Sequence, residues 1–353
     1  MREYLSAVAG NAPLRRRLGE ELERGSVSHA YIIEGPAGCG KSTLAMEMVM
    51  ALACEHREAD GTPLPCGSCP TCQKIAAGNS PDVIHISKET DKATMGVDTV
   101  RALRSDVITV PNDLAFKVYI VHDAHTMTTQ AQNALLLTLE EPPAFVLFLL
   151  LAEDAGALLE TIRSRAPVLR MQPVPDSEIE SFLLSPSRDR KLLNAATALR
   201  ESAPDDFDAL VRMANGCIGA AAELLDEGQR VPMLENRHAV LEVCHLLAQR
   251  TRPDALLGSL LAFGKKREPV VQKLELLTTA LRDLLLLNYS ESATLLFFTN
   301  RGDALELTAR FTARRLLACI KAVEEALEAL SANRNVRLTL VQLLNQLRDE
   351  RAN

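Results

Sequence analysis

Short apolar runs alternate with helical stretches through the first half of the chain. The runs at residues 30–34, 83–86, 117–123, 146–152 and 168–171 are candidate strands. Near-continuous apolar runs of this length are typical of strands that are buried on both faces of a parallel sheet. Between the third and fourth runs, the sequence TTQAQNALLLTL has apolar residues at helical spacing and stops at two prolines. This alternation predicts an α/β domain with a parallel sheet and helices on both faces.

The pattern changes near Pro173 and Pro175. From residue 176 onward the chain has long amphipathic stretches and little strand signal, which predicts helices. A weaker break falls at residues 228–232. We therefore predict three domains, with an α/β domain at 1–172, a small helical domain at 173–230 and a helical bundle at 231–353.

Composition and charge exclude several classes of protein. The chain has 353 residues, 4% aromatic residues and a net charge of −7, which is not the bulk charge of a protein that coats nucleic acid by itself. Its longest apolar runs fall well short of the ~20 residues that a membrane helix needs. The first residues contain no apolar signal core. We expect a cytoplasmic protein with no membrane partner.

Residues 35–42 have the sequence GPAGCGKS, which matches the phosphate-loop pattern G-x-x-x-x-G-K-[ST]. The motif follows a predicted strand and opens a predicted helix, so backbone amides and a helix N-terminus would converge on phosphate oxygens. Lys41 is expected to reach the β- and γ-phosphates, and the Ser42 hydroxyl to bind Mg²⁺. The alternatives are a chance glycine-rich turn and a loop that no longer turns nucleotide over. The predicted nucleotide-binding residues are Gly35, Pro36, Ala37, Gly38, Cys39, Gly40, Lys41, Ser42 and Thr43.

A second carboxylate for Mg²⁺ is expected at the end of a later buried strand, and Asp123 is the candidate. ATPases commonly carry a glutamate at the next position as the base that activates water, but this chain has Ala124. The neighbouring His122 and His125 could replace it as polar contacts or be purely structural. The sequence thus predicts nucleotide binding more strongly than hydrolysis.

Four of the eight cysteines fall within nineteen residues, in the spacing C-x11-C-x2-C-x2-C. Four thiolates match the tetrahedral preference of structural Zn²⁺ and leave no open coordination position for catalysis. A redox pair, an iron–sulfur cluster, or His56 in place of one cysteine are the alternatives. The predicted zinc ligands are Cys54, Cys66, Cys69 and Cys72.

Arg165 lies in the turn TIRSR, just before the last predicted strand. An arginine in this place could stabilise charge on a phosphate bound to a neighbouring subunit, as arginine fingers do. The alternative is a solvated arginine in a surface ion pair.

Taken in order, these motifs resemble the clamp-loader branch of the AAA+ ATPases over essentially the whole chain. The resemblance is carried by SHAY at 28–31, the phosphate loop, the inserted cysteine cluster and the strand KVYIVHDAH at 117–125. It continues through the helix that ends in LEEPP at 139–143, the turn TIRSR and the C-terminal NVRLTLVQLLNQL. The helix ending in LEEPP, followed by a strand and the Ser-Arg turn, is the most specific part.

The chain departs from the motor subunits of that family at several positions. It has Ala124 where they carry a glutamate, and Glu153 in place of the polar residue of the first sensor. Ala220 stands in place of the arginine of the second sensor. The family's Ser-Arg-Cys signature keeps Arg165 but has Ala166 instead of cysteine.

The resemblance implies an AAA+ domain carrying a zinc module at about 54–72, then a lid at 173–230 and a collar at 231–353. It implies a non-motor subunit that binds ATP or ADP with Mg²⁺, hydrolyses it poorly and lends Arg165 as an arginine finger in trans. The implied partners are gamma/tau and delta clamp-loader subunits and, through the complex, the sliding clamp and primed DNA. A gamma/tau-type motor ATPase and another phosphate-loop enzyme, such as a kinase, remain as alternatives.

Overall fold

The computed structural model describes residues 2–58, 61–89, 92–185, 190–249 and 252–348. The chain divides into two units. Unit 1 comprises Met1–Phe182 with Gly216–Ala220, and unit 2 comprises Leu183–Asn215 with Ala221–Asn353. The limits of the three domains inferred from the sequence stay predictions.

Unit 1 is built around a parallel sheet of five strands in the order β2-β3-β4-β1-β5. Ala30 pairs with Phe148, and Lys117 pairs with Val146, which fixes the register of the three central strands. β1, β3 and β4 are almost wholly buried, as their near-continuous apolar sequences predict. The strands are β1 (Ala30–Glu34), β2 (Val83–Ile86), β3 (Lys117–Val121), β4 (Val146–Ala152) and β5 (Val168–Arg170).

The two faces of the sheet are covered by separate apolar layers. Along β1, Tyr31 and Ile33 pack into one layer, while Ala30 and Ile32 pack into the other, because successive strand side chains point to opposite faces. The first layer is completed by α1, α2 and α3, and the second by α4 and α5. The helices of this part are α1 (Ala12–Glu23), α2 (Lys41–Ala53), α3 (Pro70–Ala76), α4 (Val97–Val107), α5 (Thr129–Glu140), α6 (Glu160–Arg163) and α7 (Asp176–Leu183).

All five predicted strands are confirmed, and the predicted α/β class with them. The third strand ends two residues earlier than expected, at Val121. Asp123 has a φ of 48°, a left-handed conformation in which the strand cannot continue. The helix expected between β3 and β4 is α5, which begins after Thr128, whose hydroxyl oxygen accepts a hydrogen bond from the amide of Ala131 at 3.2 Å.

Among the residues that the structure describes, unit 2 contains helices joined by loops and no strands. The region predicted to form a helical bundle contains α11, α13, α15 and α16, whose apolar faces share one buried core. Helix α11 runs continuously through Gly228 and Pro232, where the sequence suggested a break. The helices are α8 (Arg190–Ser202), α9 (Pro204–Met213), α10 (Ile218–Leu224), which includes a boundary between the units, α11 (Glu227–Gln249), α12 (Pro253–Leu261), α13 (Arg267–Tyr289), α14 (Arg301–Thr308), α15 (Ala313–Ser331) and α16 (Val336–Leu347).

Among the described helices, none combines the length and the apolar character that crossing a membrane requires.

Candidate functional site

The phosphate-loop motif forms the connection between β1 and α2. Its second and third glycines, Gly38 and Gly40, have φ angles of 71° and 96°, which residues with a Cβ rarely adopt. Gly40 directly precedes α2, so the loop runs into a helix N-terminus. The sequence therefore folds locally as the motif requires, with a strand, a tight glycine turn and a helix.

Lys41 folds back over this loop. Its ammonium group donates hydrogen bonds to the carbonyl oxygens of Gly35 and Pro36, at 2.7 and 2.8 Å. Within the described part of the chain, the backbone amides of Gly38, Gly40 and Ser42 have no hydrogen-bond acceptor. Converging amides at a helix N-terminus beside an ammonium group are suited to phosphate oxygens, so the residues present fit a nucleotide phosphate.

The segment Gly216–Ala220 lies directly against the loop. The amide of Gly219 donates to the carbonyl oxygen of Gly38 at 2.8 Å. A Cβ at Gly38 would come within 2.5 Å of the backbone nitrogen of Ala220, so the close approach also requires glycine. Ala220, the position expected to carry a second sensor, therefore borders the phosphate loop, but its methyl group offers no charge.

Asp123 follows β3 and is half-exposed, with its carboxylate 3.8 Å from the ammonium group of Lys88. Ala124 is completely buried in the apolar layer formed with α4 and α5. The position where a motor ATPase carries its glutamate is thus part of the core. Parallel strands end at one edge of the sheet, so Asp123 and Glu153, which follows β4, lie at the same edge as the phosphate loop.

Histidines surround this strand end. Nδ1 of His85 and Nε2 of His122 are 2.9 Å apart, and their rings stack with centroids at 5.3 Å. Burial, together with the adjacent His85, lowers the pKa of His122. His125 Nδ1 accepts a hydrogen bond from the amide of Glu153 at 3.3 Å. These contacts are structural links between neighbouring strand ends.

Arg165 is partly exposed and its guanidinium is held from two sides. One nitrogen donates to the carbonyl oxygen of Thr161 at 3.0 Å, and another donates to the carboxylate of Glu140 at 3.0 Å. Glu140 is the last residue of α5, the helix that ends in LEEPP. The sequence places these two residues 25 positions apart, and no spacing rule predicts their contact.

Arg165 and Glu140 precede β5 and β4, so they lie at the amino-terminal edge of the sheet. The phosphate loop follows β1 and lies at the opposite edge. A strand of five residues spans about 16 Å. The structure therefore separates Arg165 from the phosphate loop of its own chain.

The four predicted cysteine ligands meet in one cluster, with their sulfur atoms all within 4.8 Å of one another. Cys54 lies at the end of α2, Cys69 caps the start of α3, and Cys72 lies within α3. Sulfurs bound to one zinc ion at 2.3 Å would be about 3.8 Å apart. The cluster fits a tetrahedral metal ion, which would join the end of α2 to the start of α3.

Hydrogen bonds around Cys66 favour the thiolate that a metal ion needs. Burial raises its pKa, but hydrogen bonds involving His56, the amide of Cys69 and the Ser68 hydroxyl outweigh that effect and lower the pKa to about 5. Burial raises the pKa of Cys54 and Cys72. Nδ1 of His56 lies 3.4 Å from the Cys66 sulfur, so His56 contacts the cluster from outside.

Comparison with known proteins identifies relatives. A family described as "DNA polymerase III, delta subunit" matches residues 10–175. The delta-prime subunit of DNA polymerase III from Bacillus subtilis is 27% identical over 338 residues, which cover 94% of each chain. The tau subunit from the same organism is 31% identical over 220 residues, which cover 62% of this chain and 37% of the relative. The gamma/tau subunit of Mycobacterium tuberculosis is 34% identical over 50% of this chain and 30% of the relative.

The chain thus spans about a third of the length of these tau and gamma/tau relatives. Among solved structures, a gamma subunit-related protein of Thermotoga maritima covers 95% of this chain with 18% identity and a TM-score of 0.44. The clamp-loader delta protein of Bacillus subtilis covers 94% with 15% identity and a TM-score of 0.33.

Proposed function

We propose that the chain is a clamp-loader protein of the DNA polymerase III delta-prime type, that it binds nucleotide but hydrolyses it poorly, and that it serves the nucleotide site of a neighbouring subunit. In this proposal the phosphate loop holds ATP or ADP, with Mg²⁺ at the Ser42 hydroxyl and Asp123. Arg165 is the arginine finger for an adjacent gamma/tau subunit. The assembled complex, with gamma/tau and delta subunits, loads the sliding clamp onto primed DNA.

The trans role rests on the position of Arg165 at the sheet edge opposite the phosphate loop. A guanidinium that is about one strand length from its own nucleotide site can stabilise phosphate charge only on another chain. Its side chain is partly exposed, and the bonds to Thr161 and Glu140 orient it. Because the guanidinium is already oriented, less conformational entropy is lost when it contacts a phosphate of the neighbouring subunit.

Poor hydrolysis is supported by the residues beside Asp123. A base must lie within hydrogen-bond reach of the water it activates, directly or through one water. Ala124 is buried among apolar side chains and carries no such group. Glu153 places a carboxylate where a neutral polar sensor is expected, and Ala220 has no charge to offer at the loop.

We assign zinc to the cysteine cluster, with Cys54, Cys66, Cys69 and Cys72 as its four ligands. The donor set of four thiolates and the sulfur separations support this choice. Zinc in such a site acts as a structural cross-link. We expect chelated, dialysed protein to lose one zinc per chain by elemental analysis. Cys66→Ser should abolish zinc retention, whereas Cys39→Ser, equally half-buried, should retain it. Folded wild-type protein that never contains zinc would refute the assignment.

The arginine finger is tested in the reconstituted loader. Arg165→Ala should lower the ATPase rate of the complex several-fold while leaving subunit association unchanged, because only charge stabilisation is removed. Arg163→Ala is the matched control, since Arg163 is exposed at the end of the short helix that precedes Arg165. Equal rates for the two variants in an intact complex would refute the trans role.

The second candidate function is a gamma/tau-type motor ATPase, which the 31–34% identity to tau and gamma/tau relatives favours. Turnover by the isolated chain separates the two. Rapid ATP hydrolysis that Lys41→Ala abolishes would establish the motor. Nucleotide binding with turnover that rises only in the assembled loader supports the delta-prime role.

A further inference from the structure

Unit 2 contains a cationic groove where two loops meet, one between α12 and α13 and one between α15 and α16. Its cavity measures about 510 Å³ and is lined by Lys265, Arg267, Arg334 and Arg337, together with neutral residues only. We use the name cationic groove for these four side chains. The adjoining cavity contains Glu325 and Glu328 and shares Arg334, but neither glutamate lines the cationic groove.

The loops of the groove are held in place by contacts within unit 2. The Lys273 ammonium donates to the carbonyl oxygen of Phe263 at 2.9 Å, and the Phe263 side chain is buried in the core. Gly264 then turns with a φ of 132°. The Arg267 guanidinium donates to the side-chain oxygen of Asn333, which ties the first loop to the second. The groove is therefore a built feature rather than a chance meeting of mobile side chains.

The charges of the groove are not neutralised within the chain. Lys265, Arg334 and Arg337 are exposed, and none lies within 4 Å of a carboxylate among the residues that the structure describes. The chain as a whole carries a net charge of −7, so this concentration of cations runs against its composition. The groove also includes the N-terminus of α16, whose helix dipole adds partial positive charge.

We propose that the cationic groove binds the phosphodiester backbone of a nucleic acid. Arginine forks match phosphate oxygens, and lysine adds a point charge. No aromatic side chain lines the groove, so bases have no stacking surface and binding is independent of sequence. This inference goes beyond the proposed function, because it requires neither the phosphate loop nor Arg165.

The test uses the full-length protein and two fluorescein-labelled probes of mixed sequence, a 20-nucleotide single strand and the matching duplex. Fluorescence anisotropy gives the affinity between 50 and 200 mM salt. The groove variant is Lys265→Gln/Arg334→Gln/Arg337→Gln, which leaves the Arg267–Asn333 contact intact. The control is Arg282→Gln/Arg314→Gln/Lys321→Gln, which removes the same charge from exposed positions elsewhere in unit 2. Circular dichroism checks that both variants are folded.

We expect the groove variant to bind about tenfold more weakly at 50 mM salt, with a slope of log affinity against log salt that is shallower by about two for the single strand. The control should bind like the wild type. The probe that loses more affinity identifies the natural form, single-stranded or duplex. Equal losses in both folded variants would overturn the groove as the site. Tighter binding of a glutamate-rich peptide than of either probe would overturn the nucleic-acid assignment. The assay needs neither a nucleotide nor a second subunit, so failure here does not bear on the proposed function.

Discussion

In the proposed function, the two edges of the sheet in unit 1 carry different halves of a catalytic site. At the carboxyl edge, the loop before α2 presents backbone amides and the Lys41 ammonium group, which are suited to binding phosphate oxygens. At the amino edge, Glu140 holds the guanidinium of Arg165 in place. A guanidinium is the kind of group that stabilises developing negative charge on a phosphate. The halves are separated by the strands themselves. In this proposal, one sheet binds a nucleotide at one edge and contributes an arginine to a second chain at the other edge, without completing a site of its own.

The largest expected effect on nucleotide binding comes from removing the Lys41 ammonium group at the carboxyl edge of the sheet. Lys41→Ala should weaken binding of ATP and ADP by about 10- to 100-fold, since a hydrogen bond to a charged group contributes roughly 1.5–3 kcal/mol. Isothermal titration calorimetry on the isolated chain measures this. Lys88→Ala, which removes a cation at the end of β2 near Asp123, should change affinity much less. Equal losses of affinity in the two variants would show that the phosphate loop is not the part that binds the nucleotide.

A second variant tests why the carboxyl edge of the sheet lacks a residue that could act as the general base for hydrolysis. Ala124→Glu should lower the free energy of unfolding by about 2–4 kcal/mol, because it forces a carboxyl group into a filled apolar layer. Ala157→Glu is the matched control: it lies in a similar single 3-10 turn, after β4, but is exposed. Chemical denaturation compares the two.

If Ala124→Glu is as stable as the control and the isolated chain gains ATPase activity, the missing glutamate at position 124 is what limits hydrolysis, and the apolar layer does not exclude a carboxyl group there. If the variant is stable but gains no ATPase activity, the contrast between nucleotide binding and hydrolysis rests on Glu153 and Ala220 instead.

The carboxyl edge was largely predictable from the sequence, and the amino edge was not. The phosphate loop is contiguous, so eight adjacent residues reveal a strand, a turn and a helix at once. The cysteine cluster was also accessible, because thiol spacing itself encodes the metal geometry. Both depend on local chain geometry, which the order of residues largely determines.

Contacts between elements that are distant along the chain could not be predicted from local sequence patterns. The bond of Glu140 to Arg165 depends on how far α5 runs before β4 begins, and that of Gly219 to Gly38 depends on the return of the chain after α9. The end of β3 at Val121 was misjudged because an apolar run does not show that Asp123 adopts a left-handed conformation. The pattern of hydrophobic residues indicates which positions are buried. Contacts between distant elements and the backbone conformation of a single residue depend instead on how the elements pack together.

The smallest expected effect concerns the orientation of the finger at the amino edge. Glu140→Gln keeps the size of the side chain but removes its charge, so the guanidinium is positioned less firmly. Exposed ion pairs contribute about 0.2–1 kcal/mol, which corresponds to at most a fivefold lower ATPase rate of the reconstituted loader. Salt screens such pairs, so the difference from wild type should shrink as ionic strength rises.

Glu141→Gln is the matched control for this variant, because Glu141 is the adjacent exposed glutamate and, among the described residues, forms no hydrogen bond or ion pair with Arg165. In the background of Arg165→Ala, Glu140→Gln should have no further effect, since a positioning residue acts only through the group it positions. A loss that persists in that background would mean that Glu140 acts on its own, for example by contacting the neighbouring subunit. The amino edge of the sheet would then contribute a second functional group, Glu140, in addition to the guanidinium of Arg165.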